Sequence, residues 1–378
     1  MAGDARLEVA PQPPRVHAGQ VIALRLYDIA YAVDLKRAEA LWAARGPRSG
    51  GRRGLTGTPP KAMAFGEPPL GLPLGPLPLD LDGARVAAEV TARLYDFGVV
   101  ALAITVPVAD LLWPDFVALT NRLAVALGPG GPWPDLLQRV QVGVAEALEK
   151  PTGAPVEEDY LIAVVNRLEE PLSAEALLAR LDLVPLLSGE TRPLSEGARA
   201  ELLRQRFSYY PDDLVVLTWD RAFIYEPRQD TDVIDVLEVA NAQLLEMRFY
   251  DELLDDELPR IYDLVEQARR GANLFAARRY ARLARRLYGL VAEVTELTER
   301  ADNALQVTED VYLARVYAAA MALFRVPVVS AAVERKLAII RDTYGALYEE
   351  ASGSRAELLE IAVLLLIALE VVLSVLRH

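Results

Sequence analysis

Three carboxylates in one short stretch, Asp212, Asp213 and Asp220, are the residues best placed to do chemistry in this chain. They fall within FSYYPDDLVVLTWDRAFIYEP, where two β-rich runs, 214–219 and 222–225, read as a hairpin. Carboxylates at the ends of a hairpin could hold Mg²⁺ for phosphoester chemistry. Turn formation is the plainer reading, because Asp after Pro211 and between strands hydrogen-bonds to its own backbone. A second acidic group, Asp251, Glu252, Asp255, Asp256 and Glu257, lies on one helical stretch. The basic run RRYARLARR (Arg278, Arg279, Arg282, Arg285, Arg286) is its natural partner. That run, with Arg45, Arg48, Arg52, Arg53 and Lys61, could instead meet phosphate in RNA or lipid headgroups. Asn241, Glu246, Arg248 and Asp251 stand among apolar positions in VLEVANAQLLEMRFYDELLD and read as locks of helix to sheet.

The other familiar chemistries lack their parts. No phosphate-binding G-x-x-x-x-G-K-[ST], no strand-turn-helix G-x-G-x-x-G, no H-E-x-x-H and no G-x-S-x-G is present. With no cysteine, disulfides, thiolate metal sites and cysteine nucleophiles are removed together. The two histidines, His17 and His378, sit near opposite ends, which disfavours a histidine triad or zinc site. No cofactor is expected, and no metal site beyond the three hairpin carboxylates. The net charge of −14 divides evenly, with −7 in residues 1–230 and −7 in 231–378, so bulk charge does not favour nucleic acid.

The elements that must position these residues follow from local pattern. VIALRLYDIA (21–30) is a strand of β-formers leading into an amphipathic helix over 35–44. Residues 45–83 form a Gly/Pro/Arg-rich insertion whose second part, PPLGLPLGPLPLDLDG, should hold neither helix nor central strand. Runs 88–95 and 99–106 around Asp96-Phe97-Gly98 read as a hairpin, and helices follow at 109–127 and 133–149. YLIAVVNRL (160–168) is the next strand, and Ser173 and Ser195 cap two short helices. The order is that of a ferredoxin-like βαββαβ core with an added hairpin. From Thr231 Pro and Gly nearly vanish, which divides the chain into a flexible 1–19, an α+β domain over 20–230 and a helical region over 231–357.

The helical region carries two heptad seams, Tyr280 to Ala301 and Val333 to Val375, with a corner between helices at Phe324 to Pro327. The second seam runs into LLEIAVLLLIALEVVLSVL (358–376), roughly 28 Å of helix and about the thickness of a bilayer core. Its Ile, Leu and Val residues, Ile361, Leu365 and Val372 among them, contribute roughly −5 kcal/mol to insertion. Glu370, beside Ala368 and Val372, takes back about 2.5–3.5 kcal/mol. The balance is narrowly favourable. The N-terminus has no apolar core of the secretory kind, so the expected arrangement is a single-pass tail anchor in the inner (cytoplasmic) membrane. The large N-terminal part would remain in the cytoplasm. Coiled-coil seams further imply a homo-oligomer.

YYPDDLVVLTWDRAFIYE (209–226), VLEVANAQLLEMRFYDELLD (236–255) and the terminal E-x-x-x-apolar-E-V helix together resemble the required-for-meiotic-nuclear-division family. That family includes the Sad-interacting factors and YagE-like bacterial proteins. The resemblance marks Asp213, Trp219, Asp220, Asn241, Glu246, Arg248, Tyr250 and Asp251 as signature residues of unknown role. It implies a mixed α/β domain on a helical region ending in one membrane helix, no catalytic residue, and ribosome or translation machinery as a partner class. The expected function is therefore a membrane-anchored oligomeric scaffold. The rivals are a metal-dependent phosphoester enzyme using Asp212, Asp213 or Asp220, and an RNA-binding adaptor using 45–61 and 278–286.

Overall fold

A computed structural model describes residues 13–45, 51–52, 63–64, 67–81, 83–153, 156–270, 306–307 and 310–349, with shorter helical pieces between 282 and 295. The first elements are β1 (Arg15–Asp28), β2 (Ala30–Val33), α1 (Leu35–Ala43), β3 (Gly51–Arg52), β4 (Met63–Ala64) and β5 (Leu70–Leu81). Then come β6 (Ala84–Leu94), β7 (Val99–Val108), β8 (Leu111–Leu112), α2 (Trp113–Ala126), α3 (Trp133–Val144), β9 (Leu148–Pro151) and β10 (Glu157–Leu168). Three short helices, α4 (Ala174–Arg180), α5 (Val184–Ser188) and α6 (Glu196–Leu202), lead to β11 (Gln205–Phe207), β12 (Leu214–Leu217) and β13 (Arg221–Tyr225). The remainder is α7 (Asp232–Arg270), β14 (Gln306–Val307), α8 (Val311–Leu323) and α9 (Val326–Glu349). The chain forms two compact units, one of 1–245 with 301–326 and one of 246–300 with 327–378. The change of character at Thr231 coincides with the start of α7, and the units divide within that helix.

The first unit is built on a mixed sheet in the order β11-β12-β13-β10-β1-β7-β6-β5-β3. Its middle strands β10, β1, β7 and β6 are each antiparallel to their neighbours, while β13 joins β10 in parallel. β1 is buried without interruption from Val21 to Asp28, as a continuous apolar run demands when both sheet faces are covered. One face packs on α1 to α5 through Trp113, Phe116, Leu123, Trp133, Val140 and their neighbours. The other meets the first part of α7 and α8, where Tyr160 of β10 stacks edge-on to Phe324 at 5.3 Å. The β6–β7 turn forms as read, and Gly98 is required there: its φ is +100°, and a Cβ would lie 1.7 Å from the Ala30 carbonyl oxygen. Ser173 and Ser195 accept the backbone N–H of Ala176 and Ala198, as N-caps.

The expectation that the second part of 45–83 holds neither helix nor central strand is corrected for Leu70–Leu81. Residues Leu70–Leu81 form a twelve-residue strand paired along its length with β6, despite Pro73, Pro76 and Pro78. The irregularity between Pro73 and Gly75 explains how. By adding one residue it sets the three prolines opposite Thr91, Glu89 and Ala87, alternate positions of β6. All three missing N–H groups then face away from β6, the side where a strand tolerates proline. Gly75, at φ +91°, supplies the backbone the bulge needs. The ladder from β3 to β5 covers only Gly71 and Leu70. A sheet of ten strands is also larger than a four-stranded core with one hairpin.

The second unit is helical. Val333, Leu337, Ile340 and Leu347 of α9 are buried, and Tyr344 is half-buried, so the described part of the second seam does face inward. Leu254 and Ile261 of α7, with Leu283, Leu287 and Val294, are buried in the same unit. Lys336 holds Asp251 at 2.5 Å and Asp255 at 2.7 Å, and Glu257 pairs with Arg260 three residues on. Among the described residues no single helix is long and apolar enough to cross a membrane. Only α8 and α9 taken together pass by length and composition, and the chain bends between them at Phe324–Arg325. The apolar segment 358–376, with Ile361, Leu365, Ala368, Glu370 and Val372, lies outside the described residues, as do Arg48, Arg53, Lys61, Arg278, Arg279 and Arg286.

Candidate functional site

The structure separates the three hairpin carboxylates. Asp213, just before β12, is buried, and its two oxygens accept the backbone N–H groups of Tyr209 (2.8 Å) and Tyr210 (2.9 Å). Arg228 reaches the same carboxylate at 3.1 Å and Asp212 at 3.3 Å. Asp220 lies at the opposite end of the four-residue strand, beside Arg221 at 3.7 Å, and lines a different pocket with Tyr160 and Trp133. Asp220 is therefore not part of one group with Asp212 and Asp213, which share Arg228. Among the described residues no group of three or more His, Cys, Asp or Glu could hold a metal ion.

The other signature residues are spread over the β12–β13 turn and α7. Trp219 is half exposed in the β12–β13 turn. Asn241 is buried in α7 and donates to the Leu237 carbonyl at 2.8 Å. Glu246 is buried and accepts from the Tyr250 hydroxyl, one turn along the same helix. Arg248 lies half-buried on α7, and Asp251 is tied to Lys336.

What the structure assembles instead is a cleft of about 210 Å³ lined by three separate segments. The 209–213 loop contributes Tyr209, Tyr210 and Asp213; β13 and the following turn contribute Glu226, Arg228 and Asp230. The starts of α7 and α8 complete it with Asp232, Asp310 and Tyr312. Each local conformation has a cause. Asp213 nucleates the loop by taking its two N–H groups, Asp230 accepts the Asp232 N–H at 3.0 Å, and Asp310 caps α8 through Tyr312 and Leu313. The tyrosines form an aromatic wall, with Tyr209 and Tyr210 at 4.7 Å and Tyr209 and Tyr312 at 5.4 Å between ring centres. The Arg228 guanidinium lies 3.9 Å over the Tyr210 ring, a cation–π contact, and also meets Glu226 at 3.2 Å.

The electrostatics are lopsided, with five carboxylates and one guanidinium on the lining. Burial, then the neighbouring charges of Asp230 and Asp235, raise Asp232 from the ordinary 3.8 to about 7. Burial likewise raises Glu226, although Arg228 pulls it back. The Tyr312 hydroxyl is held well above its ordinary value by burial and then by Asp213 and Glu226. Asp232 is only 7% exposed, and its Oδ1 has no hydrogen-bond partner.

A second charged cluster lies one helical turn further on. Arg93 of β6 reaches Asp235 at 2.7 Å and Glu238 at 3.2 Å, and the Tyr95 hydroxyl donates to Glu238 at 2.6 Å. Burial raises both acids and Arg93 counters it. This cluster docks α7 onto the sheet. Nothing in the sequence reading pointed to Asp230, Asp232 or Asp310, or brought residues 209–232 and 310–312 to one place.

The fold and cleft define an α+β domain followed by helices, with an acidic, tyrosine-lined pocket. Residues 18–231 match the family described as "Uncharacterized protein MJ0711, N-terminal domain", and the chain belongs to that family. It is similar to uncharacterized protein MJ0711 of Methanocaldococcus jannaschii, at 25% identity over 193 residues. That similarity covers 51% of this chain and 58% of the relative, so the chain spans a little over half the relative's length. No solved structure matches. The family match ends at residue 231, so it includes Tyr209 to Asp230 and stops one residue before Asp232.

Proposed function

We propose that the chain is a scaffold, an α+β head on a helical region that holds partners rather than transforming a substrate. The observation that carries this reading is the structural commitment of the candidate carboxylates. Asp213 is consumed by two backbone N–H groups and Arg228, and Asp251 by Lys336. Asp220 sits apart from both. The order β10-β1-β7-β6, antiparallel throughout, supports reading the middle of the head as a ferredoxin-like unit enlarged on both edges. The buried seam of α9 supports a helical stalk, and the composition of 358–376 supports a membrane tether at its end. Resemblance to the required-for-meiotic-nuclear-division family adds translation machinery as the partner class.

Fractionation of cells expressing the full chain tests the tether. The protein is expected in carbonate-washed membranes and, after detergent extraction, at a mass of more than one chain. Recovery in the high-speed supernatant as a discrete particle would overturn the tether. Asp212→Asn and Asp220→Asn, both at exposed positions, test the scaffold. They should leave cellular function intact, whereas loss of function with normal folding and assembly would establish the enzyme reading.

A further inference from the structure

We propose that the cleft between the 209–213 loop and the first turns of α7 and α8 binds an alkylammonium group, carried by a free polyamine or by a lysine side chain. This goes beyond the scaffold reading and does not depend on it. The first support is Asp232. Of the five acids on the lining, Asp213, Asp230 and Asp310 are occupied in shaping backbone, and Glu226 is occupied with Arg228. Asp232 is as deeply buried as a core residue, yet its Oδ1 faces no donor. Leaving a buried carboxylate oxygen unmatched is unfavourable for folding, and a cation in the cleft that Asp232 lines offsets the charge held there.

The second support is the wall. Tyr209, Tyr210 and Tyr312 line the cleft, aromatic rings attract an organic cation, and Tyr209 and Tyr210 keep 61% and 48% of their surface exposed. Arg228 over Tyr210 shows that a cation is accepted on this surface, but a single guanidinium leaves the lining strongly negative. At about 210 Å³ the cleft has room for an ammonium and several methylenes. Anions are disfavoured even though two helix N-termini open here. Asp230 takes the N–H of Asp232 at the start of α7, Asp310 takes those of Tyr312 and Leu313 at the start of α8, and the acidic lining repels an anion.

The charged groups around Asp232 are Asp230 and Asp235 on its own segment, Asp310 from α8, and Asp213, Glu226 and Arg228 across the cleft. Full negative charge at Asp232 therefore develops only as the pH passes about 7. Alkylammonium binding should strengthen from pH 6 to pH 8, while the amine itself remains charged.

Calorimetry on the full chain in low salt tests this with two probes, spermidine and a short peptide bearing one lysine. The same peptide with that lysine acetylated is the control. Saturable binding of either amine is expected, weakened about tenfold in Asp232→Asn and in Tyr312→Leu, and about tenfold tighter at pH 8 than at pH 6 in the unaltered chain. Spermidine alone binding identifies a free polyamine, and lysine peptide binding with loss on acetylation identifies a protein partner. Absence of saturable binding by both probes overturns the proposal. So does binding that is indifferent to Asp232→Asn, to Tyr312→Leu and to pH, which would assign it to the overall charge of −14. The pH profile of the unaltered chain decides the matter if a variant fails to fold.

Discussion

Asp232 and Asp235 lie three residues apart at the start of α7, and the molecule treats them in opposite ways. They are almost equally buried, at 7% and 5% exposure, so burial is not the difference. Asp235 shares Arg93 with Glu238, and Tyr95 completes the group by donating to Glu238. Asp232 has acids for neighbours and an oxygen with no donor. A closed charge cluster of the first kind fixes a helix to a sheet. An open one of the second kind keeps negative potential aimed into a cleft, which is how binding sites, rather than docking sites, are arranged. Two of the signature residues find partners close along the chain, Asp213 with Tyr209 and Tyr210 and Glu246 with Tyr250, whereas Asp251 meets Lys336 from a distant helix.

The largest effect should come from breaking the closed cluster. Arg93→Met leaves Asp235 and Glu238 buried without a cation, and should lower unfolding stability by about 3 kcal/mol in urea titration. Adding Glu238→Gln to that variant should restore part of the loss, because the two changes act on one network. A loss from Arg93→Met below about 1 kcal/mol would mean that solvent, not Arg93, satisfies the two acids. Tyr95→Phe removes one buried hydrogen bond to Glu238 while keeping the ring, and should be milder, at about 1 to 1.5 kcal/mol.

Asp232→Asn should act in the reverse direction. The folded value of about 7 stands above the ordinary 3.8, so the folded chain holds a proton that the unfolded chain has released across that window. Stability contributed by the protonated group is therefore present at low pH and is lost as pH rises through about 7. Asparagine has no charge to develop, so its advantage in Tm over the unaltered chain should be smallest near pH 4, grow as pH rises towards about 7, and reach at least about 2 °C at pH 8. A constant difference across that range would show that Asp232 does not titrate there. Stabilisation on removing a buried acid is the behaviour expected of a residue kept for binding.

How much of this was legible in the sequence depends on the range of the interaction. The strands at β1, β7, β10, β12 and β13 and the serine-capped helices were readable because period and caps act over a few residues. β5 was not readable, since whether three prolines can sit in a strand depends on a bulge and on which neighbour needs the N–H groups. The cleft was invisible for a related reason. Asp230 and Asp232 look like ordinary residues at a helix start, and Asp310 looks like an ordinary cap, until α8 brings Tyr312 against Tyr209 across some hundred residues of chain. Arg93 gave no signal either, because an arginine in an alternating strand such as β6 ordinarily marks the solvent side.

The smallest effect on stability, and the sharpest on the comparison, should come from Arg228→Gln. Arg228 touches Asp212, Asp213, Glu226 and the Tyr210 ring, more partners than Arg93 has. Its side chain is nevertheless 42% exposed, so each ion pair is screened by water and weakened further by salt. Asp213 also keeps its two backbone donors when the guanidinium is gone. The variant should therefore lose less than about 1 kcal/mol, and less still at high salt. In the cleft the same change removes the positive charge of Arg228 from the described lining, so alkylammonium binding should tighten, by about threefold or more in low salt. Arg93→Met should weaken the fold without that gain. If Arg228→Gln instead destabilised the chain as much as Arg93→Met and left binding unchanged, the cleft would be a second docking cluster, and the distinction between Asp232 and Asp235 would have no functional meaning.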